Sequence, residues 1–270
     1  VGSGVAKLLK ANAQQYALRT GTTLELVGVL VRDTEKAMMT GLVDQAILTN
    51  DPDAFFAQEM DVVLEVAGGV EVAGNFVRRA IEKKCHVVTA NKALLAAQGP
   101  ELYTLAKQNQ VSIAFEASCG GGIPIITALS FGLMSNRIDA LYGILNGTCN
   151  YILTEMVQKG KTYADALAEA KELGYAEADE TLDVSGADAA QKLVVLSSLA
   201  FDVKVTEDQI ALKGIDTLDL SDVNFGSEMG YEIKLLAMAQ QTDAGLSLRP
   251  MPCFINKETH LAQVDSSFNA

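Results

Sequence analysis

The segment from Ala170 to Lys192 carries a dense group of acidic side chains that ends in a lysine. Asp188 and Lys192 are four residues apart, so a helix would place them on one face. That face continues with the apolar residues Val195 and Leu199, which indicates that the pair lies close to the core. An acid and an ammonium group held together in this way could transfer a proton.

Two interpretations fit this segment. In the first, Ser185 caps the helix, Asp188 completes a capping box, and Asp188 and Lys192 form an ordinary helix ion pair. In the second, the segment lines a substrate pocket. Its carboxylates would hold the ammonium of an amino acid, and Lys192 would handle the proton on a carbonyl or hydroxyl oxygen. If the reaction were hydride transfer to an aldehyde, an ammonium there would also stabilise the negative charge that develops on the aldehyde oxygen.

Two other segments have a composition that suits a pocket. The glycine-rich stretch 116–124 exposes backbone carbonyls and amides that could contact an ion or ligand, although it could equally be a flexible connection. The stretch 146–150, Asn-Gly-Thr-Cys-Asn, opens a predicted helix, which its Asn and Thr side chains can cap.

The first part of the chain alternates short apolar runs with amphipathic segments, as is typical of a parallel, doubly wound α/β sheet. The predicted strands are Leu24–Val31, Asp61–Ala67, Cys85–Ala90 and Val111–Glu116, and the predicted helices cover 1–20, 71–84 and 93–110. After a break near residue 120, the pattern predicts an α+β region. It has a helix to about 135, a strand over 138–144, helices over 150–173, 186–202 and 227–241, and extended chain over 246–255.

Ligands of doubly wound sheets bind at the carboxyl ends of the strands. Those positions hold Arg32, Gly68-Gly69 and the segment from Thr89 to Lys92. Arg32 could meet a 2′-phosphate, but Asp33 beside it could serve a ribose, and Arg32 could also be simply solvated. The opening Val1-Gly2-Ser3-Gly4 could be the end of a glycine-rich nucleotide turn whose strand is absent, or an ordinary helix start.

The charge, hydropathy and cysteine content of the chain bear on which partners and which location are expected. The formal net charge of −13 disfavours nucleic acid and anionic membranes as partners. No apolar run reaches the length of a membrane span. The four cysteines have neither disulfide-framework nor zinc-finger spacing, so a reducing, cytoplasmic location is expected.

Taken together, these residues resemble the homoserine dehydrogenase family over essentially the whole chain. The family signature matches Ala170, Gly174, Tyr175, Ala176, Asp179, Asp183, Gly186, Asp188 and Lys192. Glu180 stands where the family usually has proline. The segments Thr89–Lys92, 116–124 and 146–148 also match in family order.

The resemblance implies roles for individual residues. Lys192 would be the catalytic acid/base, with Lys92 as a second catalytic lysine near nicotinamide and substrate. The substrate would be bound by Glu177, Asp183 and Asp188. NADP or NAD would be bound by Val1, Gly2, Arg32, Gly68, Gly69, Thr89 and Lys92, and Arg32 favours NADP. A monovalent cation, Na⁺ or K⁺, would lie on backbone carbonyls of Glu116, Cys119, Gly121 and Ile123.

The resemblance also implies the organisation of the chain and its reaction. Residues 1–120 would be a Rossmann-like NAD(P)-binding domain truncated at its first strand, 121–255 a catalytic and dimerisation domain, and 256–270 the start of a return to the nucleotide domain. The reaction would interconvert L-homoserine and L-aspartate 4-semialdehyde on the route to threonine, methionine and isoleucine, in a homodimer. We expect the 270 residues alone to bind the cofactor poorly.

Two alternatives remain open from the residues alone. A cysteine-based aldehyde dehydrogenase would use Cys119 or Cys149 as a nucleophile, but such a cysteine needs a base, and the two histidines, His86 and His260, lie far away in sequence. A nucleotide-sensing module would bind the cofactor without turnover. The scarcity of histidine also argues against a His-based hydroxy-acid dehydrogenase.

Overall fold

A computed structural model of the protein describes residues 1–265, which fall into two compact units. The first comprises residues 1–89 and 101–114, and the second comprises residues 90–100 and the chain from 115 onward. The division thus falls near residue 115, against the predicted 120, and residues 256–265 belong to the second unit. Residues 266–270 of the predicted return segment lie outside the described residues. Within residues 1–265, no helix is long and apolar enough to cross a bilayer.

The first unit is built from short parallel strands and helices. Its strands are β1 (Val29–Leu30), β2 (Leu48–Thr49), β3 (Val62–Glu65), β4 (His86–Thr89) and β5 (Ile113–Ala114). Its helices are α1 (Gly2–Ala11), α2 (Ala13–Thr20), α3 (Thr34–Met39), α4 (Pro52–Phe56) and α5 (Glu71–Glu82), together with the second half of α6 (Lys92–Asn109).

All strand pairs of the first unit are parallel, which confirms the predicted α/β class. β1 pairs with β2, and β3, β4 and β5 form a second sheet in that order. Helix α5 packs on β3 and β4 through its buried apolar residues, among them Val77 and Ile81. The sheet therefore presents the carboxyl ends of β3 and β4 side by side.

The predicted strand Leu24–Val31 is much shorter in the structure. Only Val29 and Leu30 pair with a neighbouring strand, while Leu24 is 51% exposed. An apolar run becomes a strand only where its backbone finds a hydrogen-bonding partner. Here the partner is β2, which pairs with Val29 and Leu30 and accepts from the Val31 N–H at Thr49, 3.0 Å away.

The second unit combines helices with an antiparallel sheet. It contains α7 (Ile125–Thr127), which continues into a π-helical turn (Ala128–Gly132), β6 (Ala140–Gly143), α8 (Gly147–Lys159), α9 (Tyr163–Glu172), α10 (Thr181–Val184), α11 (Ala187–Phe201), α12 (Leu220–Glu228), β7 (Tyr231–Thr242) and β8 (Gly245–Asn256). The three strands form one sheet in the order β6, β7, β8.

The helix predicted over 227–241 is wrong, since most of this segment is strand β7. The run from Ile233 to Ala239 is apolar apart from Lys234, and such a run does not separate a buried strand from a buried helix by periodicity. The segment is a strand because β7 pairs along its full length with β8 and over part of its length with β6. The helix predicted over 150–173 is two helices, α8 and α9, and Thr162 caps the second.

The core of the second unit holds α8 and α11 rigidly. Ile152, Leu153 and Met156 of α8 have no exposed surface and pack with residues of α9 and β7. Leu193 of α11 packs on Ala237 and Ala239 of β7. Each fully buried leucine contributes about 1.5–3 kcal/mol relative to an exposed one, so the N-terminal ends of both helices are held firmly in place.

Candidate active site

Lys192 lies on the second turn of α11 and points at the start of α8. Its Nζ donates to Asp188 Oδ2 at 2.7 Å and to the backbone carbonyl of Leu145 at 2.6 Å. The side chain is 18% exposed, so the ammonium is largely withdrawn from solvent but remains reachable. Val195 on the same face is buried, as the sequence pattern predicted.

Asp188 joins two lysines. Its Oδ2 accepts from Lys192, and its Oδ1 lies 3.1 Å from the Nζ of Lys92, whose side chain is 29% exposed. Burial raises the pKa of Asp188, but the charge and hydrogen bond of Lys192, the amide of Asn146 and the charge of Lys92 outweigh it, so the net pKa is below the ordinary value. The buried group is therefore a carboxylate shared by two ammonium groups.

Asn146 ties this carboxylate to a second one. Its side-chain amide donates to Asp188 Oδ2 at 2.8 Å and to Asp183 Oδ1 at 2.7 Å. Its own oxygen accepts from the backbone N–H of Cys149 and so caps α8. One residue thus fixes the start of α8 and the relative positions of two carboxylates.

The capping box predicted for α11 is wrong. The N-terminal cap is Gly186, which makes no side-chain capping bond, and Ser185 only accepts a long 3.4 Å bond from Ala187. The Asp188 carboxylate is instead drawn toward Lys192, Lys92 and Asn146, because charged donors bind it more strongly than a backbone amide. Of the two features in the first interpretation of this segment, the Asp188–Lys192 ion pair is present and the Ser185 cap is absent.

The turn that carries Asp183 is supported from behind by Gly214 and Ile215. The Ile215 N–H donates to the Val184 carbonyl at 2.8 Å. A Cβ placed on Gly214 would lie 2.0 Å from that same carbonyl oxygen, so the close approach requires glycine. Asp183 is half-buried and beside Asn146, whereas Glu177 lies exposed in the turn between α9 and α10.

The glycine-rich loop lies beside α11 in the second unit. The Cys119 thiol is 3.9 Å from the Lys192 carbonyl oxygen. The Glu116 carboxylate accepts from the backbone N–H groups of Ile126 and Thr127 and holds the start of α7. The Ile123 carbonyl accepts from Ile125. Among residues 1–265, no three His, Cys, Asp or Glu side chains group as metal ligands, and a site made of carbonyls does not need such a group.

In the first unit, predicted nucleotide residues gather at the carboxyl end of β3. Gly68 and Gly69 both have positive φ, and a Cβ at either position would have no atom within 4 Å, so a ligand could approach both residues closely from the side where other residues carry a Cβ. Gly2 lies beside Val66, which brings the start of α1 to the same place, with Val1 exposed before it. Glycines that leave this side uncovered at a strand end fit a bound dinucleotide.

Three further strand-end residues have distinct surroundings. Thr89 is buried, and its hydroxyl donates to Glu65 Oε2 at 2.6 Å. Arg32 is exposed after β1, while the adjacent Asp33 uses its carboxylate to cap α3 through the N–H of Lys36. Both side chains are exposed, and of the two only the Asp33 carboxylate takes part in a hydrogen bond among the described residues, from the Lys36 N–H.

The buried thiols do not have the properties of nucleophiles. Burial raises the pKa of Cys119 above its usual range, and burial together with the charge of Asp183 raises that of Cys149. His86 accepts a hydrogen bond from the backbone N–H of Ser112, which links β4 to β5. These observations argue against the cysteine-based alternative and give His86 a structural role.

The sequence interpretation missed two residues that organise these sites. Asn146 was noted only as a possible helix cap, and its position between a strand and a helix gave no sign of its two carboxylate partners. Glu65 was passed over, although a charged residue inside the apolar run Val62–Ala67 is a signal for a buried polar contact.

Two family profiles match the chain. The one described as the homoserine dehydrogenase NAD-binding domain covers residues 1–116, and the one described as homoserine dehydrogenase covers residues 124–270. Among curated proteins, the homoserine dehydrogenase of Pseudomonas aeruginosa is 44% identical over 270 residues and that of Bacillus subtilis 40%. Both alignments include the whole chain and 62% of the relative, so the chain spans about 62% of these relatives' length.

A solved structure gives the same result. The crystal structure of a homoserine dehydrogenase from Thiobacillus denitrificans matches with a TM-score of 0.93 at 42% identity, over 99% of this chain and 62% of that one. The profile that covers the second unit alone extends over more than half of the chain. The chain therefore belongs to the homoserine dehydrogenase family.

Proposed function

We propose that the protein carrying this chain is an NAD(P)-dependent homoserine dehydrogenase, which interconverts L-homoserine and L-aspartate 4-semialdehyde in the biosynthesis of threonine, methionine and isoleucine. The observation that carries the proposal is the cluster of Lys192, Asp188 and Lys92. When bound, the nicotinamide supplies or accepts the hydride. The residues of the chain then have to handle the proton and hold the amino-acid end of the substrate.

Lys192 is the proton donor in the direction of aldehyde reduction. An ammonium has three N–H donors, and in the described part of the chain Lys192 gives two of them to Asp188 and Leu145. The third is available to the substrate oxygen, which gains negative charge as the carbonyl is reduced. In the reverse direction, the same nitrogen accepts the hydroxyl proton of homoserine.

Asp188 acts mainly by positioning. With 4% of its surface exposed and two lysines and an amide around it, the carboxylate keeps both ammonium groups at a fixed separation. Direct binding of substrate by Asp188 stays a prediction. The substrate ammonium is assigned to Asp183 and Glu177, because both are more accessible than Asp188, the first being half-buried and the second exposed.

NADP is the favoured cofactor. Arg32 is exposed at the end of β1, and a guanidinium binds a 2′-phosphate through several donors, whereas the neighbouring Asp33 is occupied as a helix cap. Changing Arg32 to Ala should raise KM for NADPH about tenfold or more, the effect of one lost charge-assisted contact, and leave KM for NADH nearly unchanged. Equal effects on the two cofactors would refute this role.

A monovalent cation, Na⁺ or K⁺, is proposed on the carbonyls of Glu116, Cys119, Gly121 and Ile123. Support comes from the chemistry of the loop, since backbone carbonyl oxygens suit hard cations. Activity should fall when both ions are replaced by tetramethylammonium at constant ionic strength, and it should return with either ion. Activity that is independent of the cation would remove this part of the proposal.

A homodimer formed through the second unit is also proposed. Support comes from the antiparallel sheet, on which Tyr142 of β6 is 50% and Phe254 of β8 is 48% exposed. Aromatic residues of this kind are enriched in protein interfaces. Sedimentation equilibrium should give twice the chain mass, and a monomer at micromolar concentration would contradict it.

A cytoplasmic location is proposed from the thiols. Cys85, Cys119, Cys149 and Cys253 are all free in the structure, a state typical of proteins from reducing compartments. Thiol titration of the purified protein should find four reduced cysteines in this part of the chain. Disulfides among them in protein isolated from its natural source would contradict the location.

The decisive experiment follows NADPH oxidation with aldehydes that differ in one group. L-Aspartate 4-semialdehyde should be reduced, and succinate semialdehyde, which lacks the α-ammonium, should react about 100-fold more slowly because Asp183 and Glu177 would lose their partner. Nucleotide binding without turnover would favour the sensing module. Oxidation of the aldehyde with loss of activity in iodoacetamide would favour the cysteine enzyme.

A further inference from the structure

Glu65 is a buried carboxylate at the carboxyl end of β3, in the first unit. It is 4% exposed, and the ends of β3 and β4 are paired in parallel register, with Glu65 opposite Thr89. Burial of a charged carboxylate destabilises the fold unless hydrogen-bond donors surround it. Its presence in an apolar strand therefore calls for a specific set of partners.

The partners are two loop amides and one hydroxyl. Oε1 accepts from the backbone N–H of Ala67 at 2.8 Å and of Gly68 at 3.1 Å, and Oε2 accepts from the Thr89 hydroxyl at 2.6 Å. All three partners are hydrogen-bond donors, as a carboxylate requires, because its oxygens can only accept. One side chain thus ties the β3–α5 loop to the ends of two neighbouring strands.

The loop that Glu65 holds has an unusual backbone. Gly68 and Gly69 have φ of 78° and 76°, two left-handed residues in succession. Two glycines in a row are flexible and would sample many conformations if nothing fixed them. Hydrogen bonds from Ala67 and Gly68 to a buried anchor select one of these conformations before any ligand arrives.

We propose that Glu65 is a positioning residue that preorganises the Gly68-Gly69 loop for the nicotinamide dinucleotide, with Thr89 acting through it. The inference rests on the proposed function. It assigns the Thr89 side chain to the support of the loop, because its hydroxyl points at Glu65. Preorganisation acts on nucleotide affinity and leaves the acid–base chemistry of Lys192 unchanged.

The test uses two substitutions at position 65 and two at position 89. Glu65→Met keeps the length of the side chain and removes both acceptors, and Glu65→Gln keeps one oxygen for the loop amides. Thr89→Val removes the hydroxyl at nearly constant shape, and Thr89→Ser retains it. Asp51→Asn, an exposed carboxylate that accepts from the Asp53 N–H in the same unit, is the matched control.

The readout is the Kd of NADPH from calorimetry, with KM for aspartate semialdehyde measured in parallel. Glu65→Met should raise Kd about tenfold or more, and Glu65→Gln should recover most of the affinity. Thr89→Val should weaken binding about threefold to tenfold, with Thr89→Ser close to wild type. KM for the aldehyde should stay within about twofold, since the second unit is untouched.

The outcomes separate this inference from the proposed function. If wild type binds NADPH and reduces the semialdehyde, but folded Glu65→Met or Thr89→Val binds as tightly as wild type, the role of Glu65 is refuted and the proposed function stands. If Glu65→Met fails to fold, the Thr89→Val and Thr89→Ser pair decides. These measurements use the full-length protein, and if its wild type binds no nicotinamide nucleotide, both proposals fall.

Discussion

The carboxylate of Asp188 lies between the ammonium groups of Lys192, at 2.7 Å, and Lys92, at 3.1 Å. Lys192 is one turn further along the same helix, whereas Lys92 comes from a different helix far away in sequence. A carboxylate shared in this way holds two positive groups beside each other and compensates part of their charge, so the three groups keep a net charge of +1. This relationship is the physical basis for the proposed proton transfer.

The shared carboxylate makes stability depend on pH in a defined direction. Because the folded pKa of Asp188 is below its ordinary value of 3.8, its charge stabilises the fold above that pH. The contribution is lost as the pH falls through the lower, folded value. Asp188→Asn should therefore reduce the free energy of unfolding at pH 7 by about 1–3 kcal/mol, with a smaller difference below pH 3.8.

Urea unfolding at pH 7 and pH 3 measures this change. Asp139→Asn is the control, since Asp139 pairs with Arg137 on the surface, where both side chains are mostly exposed. It should have little effect at either pH. A difference between wild type and Asp188→Asn that is the same at both pH values would contradict the linkage.

We expect Asn146 to be needed for the relative positions of Asp183 and Asp188 as well as for the cap of α8. Asn146→Ala removes the cap and both carboxylate contacts, so it should cost about 1–2 kcal/mol from the cap alone and also lower activity. Asn146→Asp keeps a capping oxygen but places a third carboxylate beside Asp183 and Asp188. It should keep the cap but lose stability at neutral pH through like-charge repulsion, and kcat/KM should fall. Thermal unfolding and steady-state kinetics distinguish the two effects, and full activity in Asn146→Asp would rule out the proposed role.

The sequence predicted the parts of the site that depend on local spacing. The four-residue spacing of Asp188 and Lys192 predicted a pair on one face of a helix, and that pair is present. The apolar Val195 on the same face predicted that this face is buried, and Val195 is buried. The contacts of Asn146 and Lys92 with Asp188 depend on how helices pack, which no local spacing encodes. The same limit explains the strand β7, because its apolar run suited either a helix or a strand until its partners β6 and β8 were known.

Gly214 should tolerate no side chain. A Cβ there would meet the Val184 carbonyl at 2.0 Å, so Gly214→Ala must displace the turn that carries Asp183. The expected cost is about 1–3 kcal/mol of stability, with a higher KM for the semialdehyde. Gly132→Ala is the control, because a Cβ at Gly132 would have nothing within 4 Å. Chemical denaturation compares the two variants, and equal stability would show that the close approach is absent.

The thiols should be slow to react. Cys119 and Cys149 are buried and have a raised pKa, so iodoacetamide at pH 7.5 should modify the less buried Cys253 before either of them. Peptide mass spectrometry over time gives the order of modification, and enzyme activity is followed in the same samples. Activity should survive modification of Cys253. Rapid labelling of Cys119 or Cys149 together with inactivation would revive the cysteine-based mechanism.

The role of Lys192 is tested most directly by the turnover of the full-length Lys192→Ala protein with NADPH and saturating L-aspartate 4-semialdehyde. We predict that kcat falls about 10²- to 10⁴-fold, the usual contribution of a positioned acid, while the Kd of NADPH stays close to wild type. The protein should still fold, although the loss of one partner of the buried Asp188 carboxylate should lower its thermal midpoint. Lys159→Ala, which removes an i,i+4 ion pair with Glu155, should keep full activity. A folded Lys192→Ala protein with kcat near that of wild type would contradict the assignment.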